Sequence, residues 1–225
     1  MTKMEMAPEI QEIVDNPPEG MSYLEVKVGG VYFRLPKLAD GRLLLFKCKP
    51  NCGNCCRNTD RLPLTYGDIE RLSAKMDKTV EDFMDTECNP IELEKGAQNW
   101  AQEFKTKTRV ITLKRSVEEK PENDGEHIEC RFLNKSDKCT IYPVRPLACR
   151  IFPFTTLGTG DRGLTIGFMT GPESKICPGF YLSKNYKQME RVMREEAEVM
   201  QHFYKEWKDS TQRGVFEVMS VEAVN

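Results

Sequence analysis

Histidine is nearly missing from this chain: 225 residues hold only two, His127 and His202. That scarcity argues against a Cys2His2 zinc finger or a histidine-rich catalytic metal site, both of which draw on imidazole. No stretch approaches the ~18 uninterrupted apolar residues that a membrane helix needs. The opening segment, MTKMEMAPEIQEIVDNPPEG, is acidic and has no apolar h-region, so neither a secretory leader nor a membrane partner is expected. Net charge is −2 and the sequence pI is about 5.9, which leaves no bulk electrostatic reason for a nucleic-acid partner. Walker, G-x-S-x-G and G-x-G-x-x-G patterns are all absent, which weighs against phosphate-loop, hydrolase and Rossmann chemistry. GTGDRG, near Gly158, is glycine-rich but has no strand–turn–helix context and reads as a plain turn.

Cysteine, in contrast, is abundant, with nine in the chain. The number is odd and the chain is not a short secreted scaffold. A cytoplasmic location is expected, where disulfides are rare and such a pattern reads as metal-binding or catalytic. Four thiols crowd into CKPNCGNCC as Cys48, Cys52, Cys55 and Cys56. Four more follow as Cys130, Cys139, Cys149 and Cys177, and Cys88 stands apart in DTECNP. Asp85 and Glu87 beside Cys88 would raise a thiol pKa, so it reads as inert. The remaining eight suit two four-thiolate sites.

Thiolates are soft anionic ligands that select zinc, copper(I) and iron–sulfur clusters over harder ions. Structural zinc sites usually pair C-x2-C knuckles from two loops. Here the first loop reads C-x3-C-x2-C-C, and three close thiols plus a distant fourth is the commoner arrangement for a cubane cluster. The expected cofactor is therefore a 4Fe–4S cluster, one or two of them, with zinc as the alternative. Gly53 and Asn54 would let backbone amides approach the sulfurs. Cys55 and Cys56 are neighbours, and in an extended segment such side chains point to opposite sides. Cys48, Cys52 and Cys55 are thus expected to serve one centre, and Cys56 a second built by the later cysteines. Cys48-Cys52-Cys55 also matches the spacing of the radical S-adenosylmethionine signature, but the chain lacks the repeating strand–helix units of such enzymes. His127, three residues before Cys130, is a further candidate ligand set against an ordinary loop histidine.

The expected fold class is α+β. YLEVKV and VYFRLP flank Gly29-Gly30 as a hairpin, and DGRLLLFKC supplies a third strand that delivers Cys48. LTYGDIERLSAKM predicts a helix with Thr65 as N-cap and Asp68 in the capping-box position, and TVEDFMDTE a second short helix. KTKTRVITLKRSV and GLTIGFM read as strands, with the acidic EEKPENDGE as a loop after the first. Tyr186, Met189, Met193, Ala197, Met200, Phe203 or Tyr204, and Trp207 stand at helical spacing near the C-terminal end and predict a long amphipathic helix whose stripe is core. Residues 1–20 are rich in Pro and Glu without periodicity and are expected to be a loose arm. A single metal-binding domain over 21–210 and a tail over 211–225 complete the expected organisation.

FKCKPNCGNCC, CRFLNKSDKCTIYPVRPLACRIFPF and the closing CPG together resemble a cysteine-cluster family named for a CxxCxxCC pattern and described as zinc- or iron-chelating. The resemblance runs from about Lys47 to Phe180; its first gap is three residues where the family name implies two. The flagellin lysine methylases carry a similar cluster, and that similarity implies a 4Fe–4S centre and methyl transfer from S-adenosylmethionine. In the second motif, Pro143, Pro146 and Pro153 are expected to hold Cys139 and Cys149 in rigid turns. Arg145 and Arg150 are expected to offset the charge of an anionic centre, within an apolar shell of Tyr142, Phe152 and Phe154.

Three functions are consistent with these features. One is a protein that holds iron–sulfur centres for electron transfer or for cluster and metal handling. The second is a cluster-dependent methyltransferase. The third is a zinc-stapled interaction module in which metal supplies folding energy. A protein redox or substrate partner is expected in the first two.

Overall fold

The computed structural model describes residues 5–16, 18–49, 52–58, 62–94, 98–99, 102–103, 108–114, 116–118, 127–158, 163–168, 177–212 and 217–218. The chain opens with helix α1 (Pro8–Asp15), which buries Ile10 and Ile13. This corrects the expectation of a loose arm. PEIQEIVD is a two-turn amphipathic helix whose apolar residues recur at i, i+3 and i+4, and Ile10 joins the main core together with Met6.

The hairpin forms as read, with β1 (Ser22–Val28) antiparallel to β2 (Val31–Lys37). Gly29 and Gly30 have φ of +56° and +82°, the left-handed pair that a tight hairpin turn requires. Strand β3 (Leu43–Phe46) follows, buried at all four positions. Next come α2 (Asn54–Asn58), α3 (Tyr66–Lys75) and α4 (Val80–Glu87). Thr65 and Asp68 close the capping box of α3, with Asp accepting the N-cap N–H as Glu would.

The middle of the chain is richer in strands than its sequence implied: β4 (Cys88–Leu93), β5 (Gln98–Asn99), β6 (Gln102–Glu103), β7 (Thr108–Leu113), β8 (Ser116–Glu118) and β9 (His127–Glu129). The acidic loop after β8 lies almost wholly outside the described residues, as does most of the GTGDRG turn. A single 3-10 turn at Tyr142–Val144 leads to α5 (Leu147–Ile151). Strands β10 (Phe154–Gly158), β11 (Thr165–Phe168) and β12 (Phe180–Ser183) then precede the long helix α6 (Tyr186–Gln212) and β13 (Glu217–Val218).

The architecture is α+β. The larger sheet runs β10-β11-β2-β3-β12, with β1 also paired to β2. A second sheet runs β13-β7-β4. Helix α6 buries Met189, Met193, Ala197, Met200 and Phe203 with Val31, Phe33 and Leu43–Phe46 of the large sheet, which is the main core. A separate core joins Ile69 and Leu72 of α3 and Phe83 of α4 to Leu113, Phe132 and Ile141. The thiols sit where these two cores meet. No helix among the described residues is long and apolar enough to cross a membrane.

Candidate metal centre

Two backbone alignments bring the distant cysteines together. Antiparallel pairing of β12 with β3 sets Phe180 opposite Phe46, and the Lys47 N–H extends the ladder to the Gly179 carbonyl at 3.0 Å. In that register Cys48 and Cys177 leave the same end of the sheet side by side. On the other side, the Cys130 N–H donates to the Cys56 carbonyl at 2.8 Å. A β-bridge between Leu133 and Cys139 folds the next loop back, and α5 presents Cys149.

All eight expected ligands, Cys48, Cys52, Cys55, Cys56, Cys130, Cys139, Cys149 and Cys177, line one cavity of ≈ 70 Å³. Its walls are otherwise mostly apolar, with Phe46, Leu62, Leu113, Leu133, Ile141 and Phe152 among them and Lys49, Asp137 and Arg145 as charged members. Cys130 and Cys177 are buried, Cys48 is exposed and the other five are half-buried. Cys88 is buried elsewhere, in the second core. His127 falls on β9; its side chain lies outside the described residues.

Five of the eight thiols belong to or pack against the two cores. Cys177 belongs to the main core, and Cys52, Cys55 and Cys48 act on it electrostatically. Cys130 belongs to the second core, and Cys56, Cys139 and Cys149 pack against it. Cys55 and Cys56 join the two sets. They sit in consecutive positions of α2, not in the extended segment assumed above. The helix turns them about 100° apart, enough to face different walls of one cavity, and their sulfurs still hydrogen-bond each other. Among the described residues, no three His, Cys, Asp or Glu side chains gather around one point as ligands of a single ion.

Burial governs the thiol electrostatics. It pushes Cys52 and Cys139 up, Cys149 well up, and Cys177 up to about 12. Backbone amides two residues ahead oppose it: the N–H groups of Asn54, Ile141 and Gly179 donate to the sulfurs of Cys52, Cys139 and Cys177. A repeated N–H···S bond from residue i+2 stabilises thiolate at each of these positions, which is what a metal ligand needs. Gly53, with φ of +63°, turns the chain so that the Asn54 amide comes back over Cys52. The hydrogen bond from Cys56 brings Cys55 down to about 7, and Cys56, bonded to Cys130 and Cys55, is raised.

Arg145 and Arg150 part company. Arg145 lines the cavity. Its Nη1 lies 4.0 Å from the Cys48 sulfur, and its guanidinium stacks 4.2 Å over the Tyr142 ring. Its charge opposes the burial of Cys55, Cys139 and Cys149. Arg150 is exposed on α5; Glu196 of α6, whose half-buried carboxyl burial raises to about 7, feels the opposing charge of Arg145 and, more weakly, of Arg150. Of the pair expected to balance the thiolates, the structure brings only Arg145 to them. Cys149 also departs from expectation, because it is held on a helix, not in a proline-fixed turn.

The reason is a residue the sequence reading used only locally. Asp68 is fully buried and accepts N–H bonds from Thr65 at 3.0 Å and Leu147 at 2.9 Å, and from the Arg71 guanidinium at 2.6 Å. Leu147 is the first residue of α5, so Asp68 caps the helix that carries Cys149. The capping box made Asp68 visible; its second role joins positions 79 residues apart and left no local signal. Arg57 is likewise fixed beside the cavity by an ion pair with Asp137.

A family model covers residues 47–178, more than half of the chain, and is described as "CxxCxxCC: Putative zinc- or iron-chelating domain". The chain belongs to this family. Searches of curated proteins and of solved structures each gave no significant match. The matched segment begins one residue before Cys48 and ends one after Cys177, so it encloses all eight cavity thiols. The chain is thus a metal-binding cysteine-cluster protein of a zinc- or iron-chelating family.

The donor set fits a metal centre. Soft sulfur ligands, amide N–H donors to sulfur, one nearby guanidinium and apolar walls are the surroundings that a thiolate-bound metal requires.

Proposed function

We propose that this protein holds iron–sulfur centres through its eight thiols and serves electron transfer or the handling of clusters and metal. The observation that carries this reading is the distribution of the thiols. Eight sulfurs line one cavity; Cys177 belongs to the main core, and Cys130 belongs to the second core with Cys56, Cys139 and Cys149 packed against it, so we assign Cys48, Cys52, Cys55 and Cys177 to one set and the other four to a second. Eight thiols around one cavity suit centres whose metal atoms occupy separate corners, where a zinc knuckle draws four sulfurs around one ion.

An iron–sulfur centre in this place would supply one-electron transfer. The chain's own residues exclude water through Phe46, Phe152 and Ile141, donate amide hydrogens to sulfur, and place Arg145 against the anionic charge. A protein redox or substrate partner belongs to this reading.

Zinc is the second reading, favoured by the i+2 amide pattern at Cys52, Cys139 and Cys177, which zinc-bound thiolates use equally well. Anaerobic purification with an absorption spectrum and metal and sulfide analysis separates the two. A broad band near ~400 nm with iron and acid-labile sulfide is expected from thiolate-bound clusters. Colourless protein with stoichiometric zinc sinks the iron reading. One metal equivalent with four cavity thiols still alkylatable sinks the two-set assignment.

A further inference from the structure

The eight cavity thiols are not equivalent in access. Cys48 is exposed, while the other seven are half-buried or buried. It leaves the end of β3 at the cavity mouth, between the exposed side chains of Lys47 and Lys49. The other members of its set are held from behind: Cys52 and Cys177 accept backbone amides, and Cys55 bonds to Cys56. The contact recorded for the Cys48 sulfur is Arg145 at 4.0 Å, and Arg145 itself rests on a Tyr142 ring that is 40% exposed. One wall of the mouth is therefore a solvent-facing thiol beside a half-buried cation.

From this geometry we infer that Cys48 is the exchangeable ligand of the centre, the position at which an outside thiol on a negatively charged molecule would replace a protein ligand. The inference rests on the metal-holding reading above. The exchange balances simply. The incoming thiol gives up its proton as its sulfur bonds the metal. The bond to the Cys48 sulfur breaks, and that sulfur takes up one proton. No electrons change hands, so no oxidant or reductant is needed. Lys47, Lys49 and Arg145 give the mouth positive charge against a chain of net charge −2, which favours approach of an anion over a neutral thiol. The incoming sulfur can come from a small anionic thiol or from a cysteine in an acidic segment of a partner protein.

The test uses the full chain loaded with its metal, together with Cys48→Ser and Cys52→Ser variants, folding being checked by circular dichroism. Residue-resolved alkylation of the loaded wild type should modify Cys48 about tenfold faster than any other cavity thiol, since reactivity follows exposure and thiolate character. Native mass spectrometry of loaded Cys48→Ser should show retained metal plus one added thiol, with glutathione and a short acidic cysteine peptide as probes. A glutathione adduct identifies a small-molecule source and a peptide adduct a protein source; either supports exchange at this position. Cys52→Ser should gain no adduct. If Cys48 reacts no faster than the buried thiols, or if folded Cys48→Ser holds no metal while wild type does, the inference is overturned. Wild type that binds no metal at all overturns the metal-holding reading instead, so the two failures are distinct.

Discussion

The Asp68 carboxylate accepts the backbone N–H of Leu147 at 2.9 Å, tying the first turn of α3 to the first turn of α5. The same carboxylate serves Thr65 and Arg71, and the Arg71 guanidinium continues to Glu206 of α6 at 2.8 Å. Three helices thus meet on one buried group, two residues before Cys149. Asp68→Ala leaves two amides and one face of a guanidinium without their acceptor in a buried setting. The expected cost is on the order of 3 kcal/mol of unfolding free energy, read by urea denaturation. Cys149 should also alkylate faster in folded protein, because α5 loses its cap.

That network also marks the boundary of what the sequence could tell. The hairpin, the third strand, the α3 capping box and the Met stripe of α6 all depend on patterns within one segment, and each was legible. The sequence also set eight thiols apart from Cys88, and those eight line one cavity. Elements stabilised by distant partners were not legible. Pro90 sits inside β4 because its strand pairs with β7, setting Pro90 opposite Ile111. LACRI becomes a helix because Asp68 caps it from α3. Likewise, the equal standing of Arg145 and Arg150 breaks only in the folded chain, where Arg145 lines the cavity and Arg150 stands exposed on α5.

The two arginines therefore give opposite expectations. Arg145→Gln removes the cation beside Cys48, and metal affinity should fall about tenfold, the lower end for an outer partner of a metal site. Arg145→Lys should recover part of that loss, because charge returns without the planar stack on Tyr142. Arg150→Ala should match wild type. Competition against a metal chelator checks all three, and equal losses in both arginine variants would remove the assigned asymmetry.

Gly179 is where backbone and thiol geometry coincide. A Cβ at this position would meet the Lys47 carbonyl oxygen at 2.6 Å and the Phe46 ring at 2.6 Å. Neither the ladder carbonyl nor the ring, which stacks edge-on with Phe154 and Phe180, can give way cheaply. Gly179→Ala should force β12 away from the end of β3 and part Cys177 from Cys48. About 1–3 kcal/mol of stability should be lost, as for other overpacked sites, with metal content reduced in the protein that remains folded. Thermal denaturation and metal analysis of the same sample report both effects.

Acid should weaken the helix network. Burial raises the Glu206 carboxyl, but Arg71 and the Thr65 hydroxyl outweigh it and hold the group below its ordinary value of 4.5. A carboxyl depressed on folding contributes stability that is present above its unfolded pKa and lost as pH falls through its folded pKa. Wild type should therefore exceed Glu206→Gln in unfolding free energy at pH 7, and the gap should close as pH drops below about 4.5. Denaturant midpoints for both proteins across that range provide the check, and a gap independent of pH would show that the Glu206 charge is not its source.

Cys88 should behave as the one cysteine outside the metal chemistry. It is 6% exposed, packs in the second core without lining the cavity, and is pushed up to about 12 by burial and by the neighbouring Glu87 charge. Neutral thiol at working pH neither binds metal well nor attacks an alkylating reagent. Cys88→Ala should keep the wild-type metal content and lose about 1 kcal/mol through the small void left behind. In wild type, Cys88 should alkylate only at the rate of global opening, because nothing short of unfolding the second core exposes its sulfur. Its labelling rate should then fall with added stabiliser in step with the unfolding equilibrium. A Cys88→Ala protein that loses metal, or a Cys88 that labels as fast as Cys48, would place the ninth thiol inside the centre after all.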